Sequence, residues 1–230
     1  MLMILRCLVI TSDELFIMID LKNKIIFIHI PKTAGTAIES YFLQARGLDY
    51  RNRAALGIFA NSNKSSNLER HNQHCSLSMI EKYYFGGKIP KDYRIFSVVR
   101  CPYKRFWSEW SSRKLPPPNR FPLSFYLPTK ILINLAEREV ERLKDLNSHM
   151  RPQYKYLEGM AESRVRILRF ENLREDFSSI QKDWGLPEIP LPRENMSTRS
   201  TKPSPKNLAL GNKFVKDFYS LDFAKFCYDS

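Results

Sequence analysis

The stretch IIFIHIPKTAGTAIESYF, Ile25 to Phe42, decides how the chain folds. Its first part, Lys24 to Ile30, is short, apolar and β-branched, as a strand buried on both faces of a sheet must be. From Thr36 to Ala45 the apolar residues Ala37, Ile38, Tyr41, Phe42 and Ala45 return at helical spacing, and Gly47 supplies a stop. Pro31 to Gly35 is then a tight turn between strand and helix. Such a turn presents unpaired backbone N–H groups at the positive end of a helix dipole, which suits phosphate or sulfate. Lys32 adds charge, and Thr33 and Thr36 add hydroxyl groups. The order is not that of the nucleoside-triphosphate loop G-x-x-x-x-G-K-[ST]: Lys32 stands three residues ahead of Gly35, and Thr36 follows Gly35 directly.

The same figure repeats along the chain. Arg94 to Val99 (RIFSVV) reads as a buried strand and Tyr103 to Arg113 as an amphipathic helix rich in aromatics, with Arg100-Cys101-Pro102 between them. Arg164 to Phe170 (RVRILRF) makes a third strand, followed by a helix from Leu173 to Trp184 with Gly185 as terminator. Repeated strand-then-helix order predicts an α/β fold built on a parallel sheet. Residues 50–73 are polar and Asn/Ser/Arg-rich, and 114–128 carry five prolines, so both are expected to be loops. Ile131 to Leu146 has helical spacing. Met196 to Asn207 is polar and basic, and Phe214 to Tyr228 reads as one or two short helices whose aromatic faces dock on the core.

The 230 residues suit a single domain, 1–230, in which 1–22 forms an N-terminal arm or an edge strand. The 37 Lys+Arg against 24 Asp+Glu leave a formal charge of +13, so an anionic partner is expected; charge alone leaves nucleic acid, nucleotide, acidic glycan and membrane surface open. Cys7, Cys75, Cys101 and Cys227 stand singly, without the spacing of a metal site, and suit reduced thiols in the cytoplasm. The opening MLMILRCLVI is too short to span a bilayer, and no other stretch reaches the roughly 18 apolar residues that a spanning helix needs.

A second anion site is expected at SVVRCPYKRFWSEW. Arg100 falls at the C-terminal end of its strand, the edge where open parallel sheets bind ligands. Ser108 lies about two turns into the following helix, and a bend at Pro102 would bring it beside the Arg100 guanidinium, which grips phosphate bidentately. Two anion pockets on one sheet edge suggest a ligand with two separated phosphate-like groups.

IPKTAGT followed by VVRCPYKRFWSEW resembles the two cofactor motifs of sulfotransferases that use 3'-phosphoadenosine 5'-phosphosulfate, in particular the carbohydrate-type members related to heparan and chondroitin sulfotransferases. The resemblance continues through HCSLSMI (His74 to Ile80), SHMRPQYKYL (Ser148 to Leu157) and ILRFENLREDF (Ile167 to Phe177), and so covers most of the chain from Lys24 onward. It implies a three-layer α/β fold like that of the P-loop NTPases, with a central, mainly parallel sheet flanked by helices, and no metal. It implies that Lys32, Thr33, Ala34, Gly35 and Thr36 bind the 5'-phosphosulfate, Lys32 at the bridging oxygen, and that Arg100 and Ser108 hold the 3'-phosphate. The acceptor it implies is a hydroxyl on a sugar or glycan, not nucleic acid. Cys101 stands where the family pattern has asparagine and Ala37 where serine is common; neither change removes a charge.

Transfer to a hydroxyl requires that its proton leave, so a base must face the sulfate. The chain has four histidines, His29, His71, His74 and His149. His74 matches the family's histidine before a helix and is the first choice; His71 could share or replace it. His29, at a strand end, is expected to make a structural hydrogen bond, and His149, with Arg151 and Gln153, to shape the acceptor or cofactor pocket. Glu171 and Asn172 are expected as a cap or supporting group. Two other readings compete. A nucleotide kinase or NTPase lacks a lysine-serine pair for Mg²⁺ and the γ-phosphate; a non-catalytic basic glycan or nucleic-acid binder would leave the placing of Lys32, Arg100 and Ser108 unexplained.

Overall fold

The computed structural model describes residues 19–48, 74–112, 149–192 and 203–230. The expected loops at 50–73 and 114–128, the expected helix at 131–146, His71 and residues 1–18 of the N-terminal segment lie outside the described residues.

Among the described residues four strands lie side by side in chain order: β1 (Ile19–Asp20), β2 (Ile25–Ile28), β3 (Arg94–Val99) and β4 (Val165–Arg169). β2 and β3 run parallel with Phe27 opposite Phe96, and β3 and β4 run parallel with Val98 opposite Leu168. β1 pairs antiparallel with β2, Ile19 opposite Ile26, and is the outermost strand among the described residues. Parallel neighbours need long crossovers, and helices supply them. α1 (Gly35–Gln44) and α2 (Leu77–Tyr84) lie between β2 and β3, and α3 (Pro102–Ser112) and α4 (Tyr154–Leu157) between β3 and β4. α5 (Leu173–Trp184), α6 (Pro205–Phe218) and α7 (Ser220–Lys225) follow β4.

Side chains alternate across a strand, so each strand feeds two cores. Ile26, Ile28, Ile95 and Val99 face Leu77 and Ile80 of α2 and Tyr156 of α4. Ile25, Phe27, Phe96, Val98 and Leu168 face Ile38 and Tyr41 of α1 and Phe177 and Ile180 of α5. The sheet is therefore covered on both faces, which is why β2 reads as an unbroken apolar run instead of an alternating one. Each fully buried isoleucine there contributes roughly 2 kcal/mol.

Local signals fix several boundaries. α5 carries Glu175 and Asp176 in its first turn and Lys182 in its last, each favourable to the helix dipole. It ends at Gly185, whose φ of 63° lets the Leu186 N–H reach back to the Gln181 carbonyl at 2.9 Å. α6 starts at Pro205, earlier than the aromatic pattern predicts, because the Ser204 hydroxyl caps it by accepting the Asn207 N–H and proline fits a first helical position. A third cluster joins α3 to the C-terminal helices through Phe106, Val215, Tyr219 and Phe223. At Gly211 a Cβ would lie 2.5 Å from the Trp107 ring, so glycine is what lets α6 approach α3. The terminal helices thus dock on the core.

Candidate active site

The lysine-bearing turn leaves β2 and enters α1 at Gly35. Lys32 (φ 68°) and Ala34 (φ 71°) are both left-handed, a conformation that costs a non-glycine residue about 1 kcal/mol or more. Left-handed residues alternating with ordinary ones turn successive backbone N–H groups toward one point, which makes an anion cradle. No acidic residue occupies the first turn of α1, so nothing on the helix itself neutralises its positive end. Thr33 is fully buried, and its hydroxyl donates to the Ile30 carbonyl at 2.8 Å. The hydroxyl that the sequence suggests as an anion donor therefore closes the loop instead.

Gly35 is set by contact. A Cβ there would stand 1.8 Å from His29 Nε2, inside the imidazole ring. His29 in turn meets Glu39, one turn further along α1, with Nδ1 2.6 Å from Oε1 in a buried pair that makes no hydrogen bond. His29 buttresses the turn, consistent with a structural role.

Arg100 follows β3 directly. Its Nη1 donates to the Lys32 carbonyl at 3.1 Å, which brings the two expected anion sites together, and its guanidinium lies 4.0 Å from the Phe170 ring centre. Arg100 Nε is buried with no hydrogen-bond partner among the described residues. Burial pushes the Lys32 ammonium below its usual pKa; the Glu109 carboxylate opposes that shift and the Arg100 charge adds to it. Pro102 opens α3 at its first position and does not bend it. Ser108 stands three residues after Arg105 and so shares its side of the helix.

Two residues of the surrounding frame, Arg105 and Glu109, escape a reading by motif, and the partner of a third, Gln153, does as well. Arg105, 3 % exposed, donates through Nε to the Pro31 carbonyl at 3.1 Å and through Nη2 to the carbonyls of His149 and Arg151, both at 2.8 Å. One buried guanidinium thus ties the lysine turn to the HMRPQ segment. Gln153 pairs with the Arg100 backbone on both sides, its Oε1 accepting the N–H at 2.9 Å and its Nε2 donating to the carbonyl at 2.8 Å. Glu109, four residues after Arg105 and on the same helix face, is buried and accepts from His149 Nδ1 at 3.0 Å. The only sequence signal for Arg105 and Glu109 was their i, i+4 spacing inside the second motif. Glu171 takes the supporting role expected of it, accepting the Cys101 N–H at 3.1 Å and the Tyr228 hydroxyl at 2.9 Å.

His74 is 7 % exposed. Its Nδ1–H donates to the His29 carbonyl at 3.1 Å, which leaves Nε2 as the lone-pair nitrogen. The His29 and His149 rings meet it edge-on, with centres 4.5 and 5.1 Å away. Burial is the main cause that pushes its pKa down to about 2, and the neighbouring His29 adds to it, so the imidazole is neutral at ordinary pH. Among the described residues no group of His, Cys, Asp or Glu is arranged to hold a metal ion, and no helix is long and apolar enough to cross a membrane.

An anion cradle, two cationic side chains and a neutral imidazole thus share one sheet edge. Residues 16–229 match the family model described as the sulfotransferase family. No curated protein and no solved structure matches the chain.

Proposed function

The chain belongs to the sulfotransferase family and is a sulfuryl-transferring enzyme; from that premise we propose that its donor is 3'-phosphoadenosine 5'-phosphosulfate and its acceptor a hydroxyl on a carbohydrate. The observation that carries the donor is the joining of Lys32 and Arg100 by one hydrogen bond, with Arg100 Nε buried and unpartnered among the described residues. A buried guanidinium N–H left without a partner is costly, and a phosphate oxygen would satisfy it. In this reading the sheet and its strand-end turn are of the P-loop kind. The backbone of Thr33, Ala34, Gly35 and Thr36 holds the 5'-phosphosulfate, while Arg100 and Ser108 hold the 3'-phosphate. Among the described residues the free Cys101 and Cys227 agree with a reducing compartment such as the cytoplasm.

The acceptor oxygen attacks sulfur as the bond from sulfur to the bridging phosphate oxygen breaks, and the electron pair leaves with that oxygen. Charge therefore gathers on the departing phosphate. Lys32 and the N–H groups of the turn meet it there, preorganised by the left-handed backbone at Lys32 and Ala34. The acceptor proton passes to His74 Nε2, the nitrogen left free by the bond to the His29 carbonyl. A triphosphate enzyme would need a different order of lysine and hydroxyl around Gly35.

Calorimetry of 3'-phosphoadenosine 5'-phosphate against ATP with Mg²⁺ tests the donor. The expected result is tighter binding of the 3'-phosphorylated nucleotide without metal; preference for ATP with Mg²⁺ would sink the reading. Transfer of label from the donor to a panel of glycans and non-sugar alcohols then tests the acceptor class, with label on the alcohols alone counting against a carbohydrate.

A further inference from the structure

His74 is well placed to take a proton and badly placed to keep it. As an imidazolium it would be a buried charge between His29 and His149 with the Arg105 guanidinium near, and each of these disfavours it. For turnover the proton must leave, and among the described residues two rings adjoin His74. The His29 ring is a closed exit: its side chain is 5 % exposed, packed against Gly35 and facing Glu39. The His149 side chain is 41 % exposed, and the 5 % exposed carboxylate of Glu109 stands 3.0 Å from its Nδ1.

We propose that His149, oriented by Glu109, relays the proton from His74 to solvent. The inference rests on the donor reading above and adds to it a second imidazole. Donation of Nδ1–H to the Glu109 carboxylate fixes the tautomer of His149 and leaves its Nε2 as the accepting nitrogen. The arrangement is a base whose far side is held by a buried carboxylate, which stabilises the imidazolium while it exists. Arg105 fixes its place, since the same guanidinium that bonds the Pro31 carbonyl in the lysine turn bonds the His149 carbonyl. The proton moves from the acceptor hydroxyl to His74 Nε2, then to His149 Nε2, then to water, and both histidines return to their neutral forms. No oxidant, metal or further reactant is consumed.

The test uses the full chain and takes water as the sulfuryl acceptor, read as release of inorganic sulfate from 3'-phosphoadenosine 5'-phosphosulfate, with calorimetric binding of 3'-phosphoadenosine 5'-phosphate run beside it. His149→Ala is expected to slow sulfate release tenfold or more while nucleotide affinity stays within about twofold, and added imidazole is expected to restore part of the rate. Glu109→Gln, which keeps the volume and can still accept from Nδ1–H, should cost less and show no imidazole rescue. Sulfate release by His149→Ala at the wild-type rate, or a slow variant that imidazole leaves unchanged, would overturn the relay. Failure of the wild-type protein to bind the nucleotide would instead overturn the donor reading, so the two failures are distinguishable.

Discussion

The two strand-to-helix turns of the site solve the same problem by different means. After β2 the turn presents its backbone: Lys32 and Ala34 are left-handed, the Thr33 hydroxyl is consumed by the Ile30 carbonyl, and Gly35 has no room for a side chain. After β3 no residue has a positive φ, Pro102 simply starts α3, and the side chains of Arg100, Arg105 and Glu109 face the site. A backbone cradle needs strain and close packing to stay in shape, whereas a side-chain site needs its long side chains anchored. Gly35 against His29 serves the first need; Gln153 gripping the Arg100 backbone and Arg105 holding three carbonyls serve the second.

If that contrast is right, the two turns should break differently. Gly35→Ala should be the most damaging change, because its Cβ would overlap the His29 ring. Overpacking of this kind costs about 3 kcal/mol, and we expect nucleotide binding to fall a hundredfold or more, measured by denaturant unfolding and calorimetry. A partial recovery in Gly35→Ala combined with His29→Ala would tie the loss to that one contact; no recovery would mean the backbone itself requires glycine. Arg100→Ala, on the side-chain turn, should leave stability nearly unchanged but weaken 3'-phosphoadenosine 5'-phosphate by roughly tenfold to a hundredfold, about 1.5–3 kcal/mol. The analogue lacking the 3'-phosphate should lose little, and equal losses for both would remove Arg100 from the 3'-phosphate.

A smaller effect follows from His74, whose pKa in the fold is held down to about 2, mainly by burial. The unfolded chain binds a proton there below about pH 6.5 while the folded chain does not, so this contribution to stability is complete above that pH. It declines as the pH falls, by at most ~1.4 kcal/mol per pH unit. Thermal unfolding of wild type and His74→Gln across pH 7 to 4 checks it: the wild type should lose stability more steeply, and parallel curves would contradict a neutral buried imidazole. The smallest change is expected for Thr33→Val, which removes one buried hydrogen bond worth about 1 kcal/mol and should shift nucleotide affinity less than threefold. A large affinity loss there would return the hydroxyl to the anion.

Much of the scaffold was legible because its signals are local. β3 and α5 have the limits that their apolar patterns predict, and Gly185 ends α5 where its position suggested. The lysine turn was legible for the same reason: a buried strand, a short turn and an amphipathic helix follow one another within Ile25 to Phe42. The start of α6 was harder, since its cap lies in a polar stretch whose aromatic pattern begins only at Phe214. Arg105 and Glu109 were illegible as site residues, and Gln153 was legible only as part of a family motif and not by its partner, because each acts on a segment far away in sequence. The Gln153 contact to Arg100 spans 53 positions and the Arg105 contact to Pro31 spans 74.

The sequence alone therefore determined the strand-turn-helix units and placed Lys32 and Arg100 at their turns, because hydrophobic periodicity and turn chemistry act between near neighbours, while His74 stood out only through the family resemblance. Only the tertiary structure decided that Arg100 bonds the Lys32 carbonyl, that His29 fills the space Gly35 leaves, and that His74 lies between one closed and one half-open imidazole. Those facts depend on how parallel strands bring distant turns to one edge, and burial then sets the charge and hydrogen-bonding state of whatever meets there.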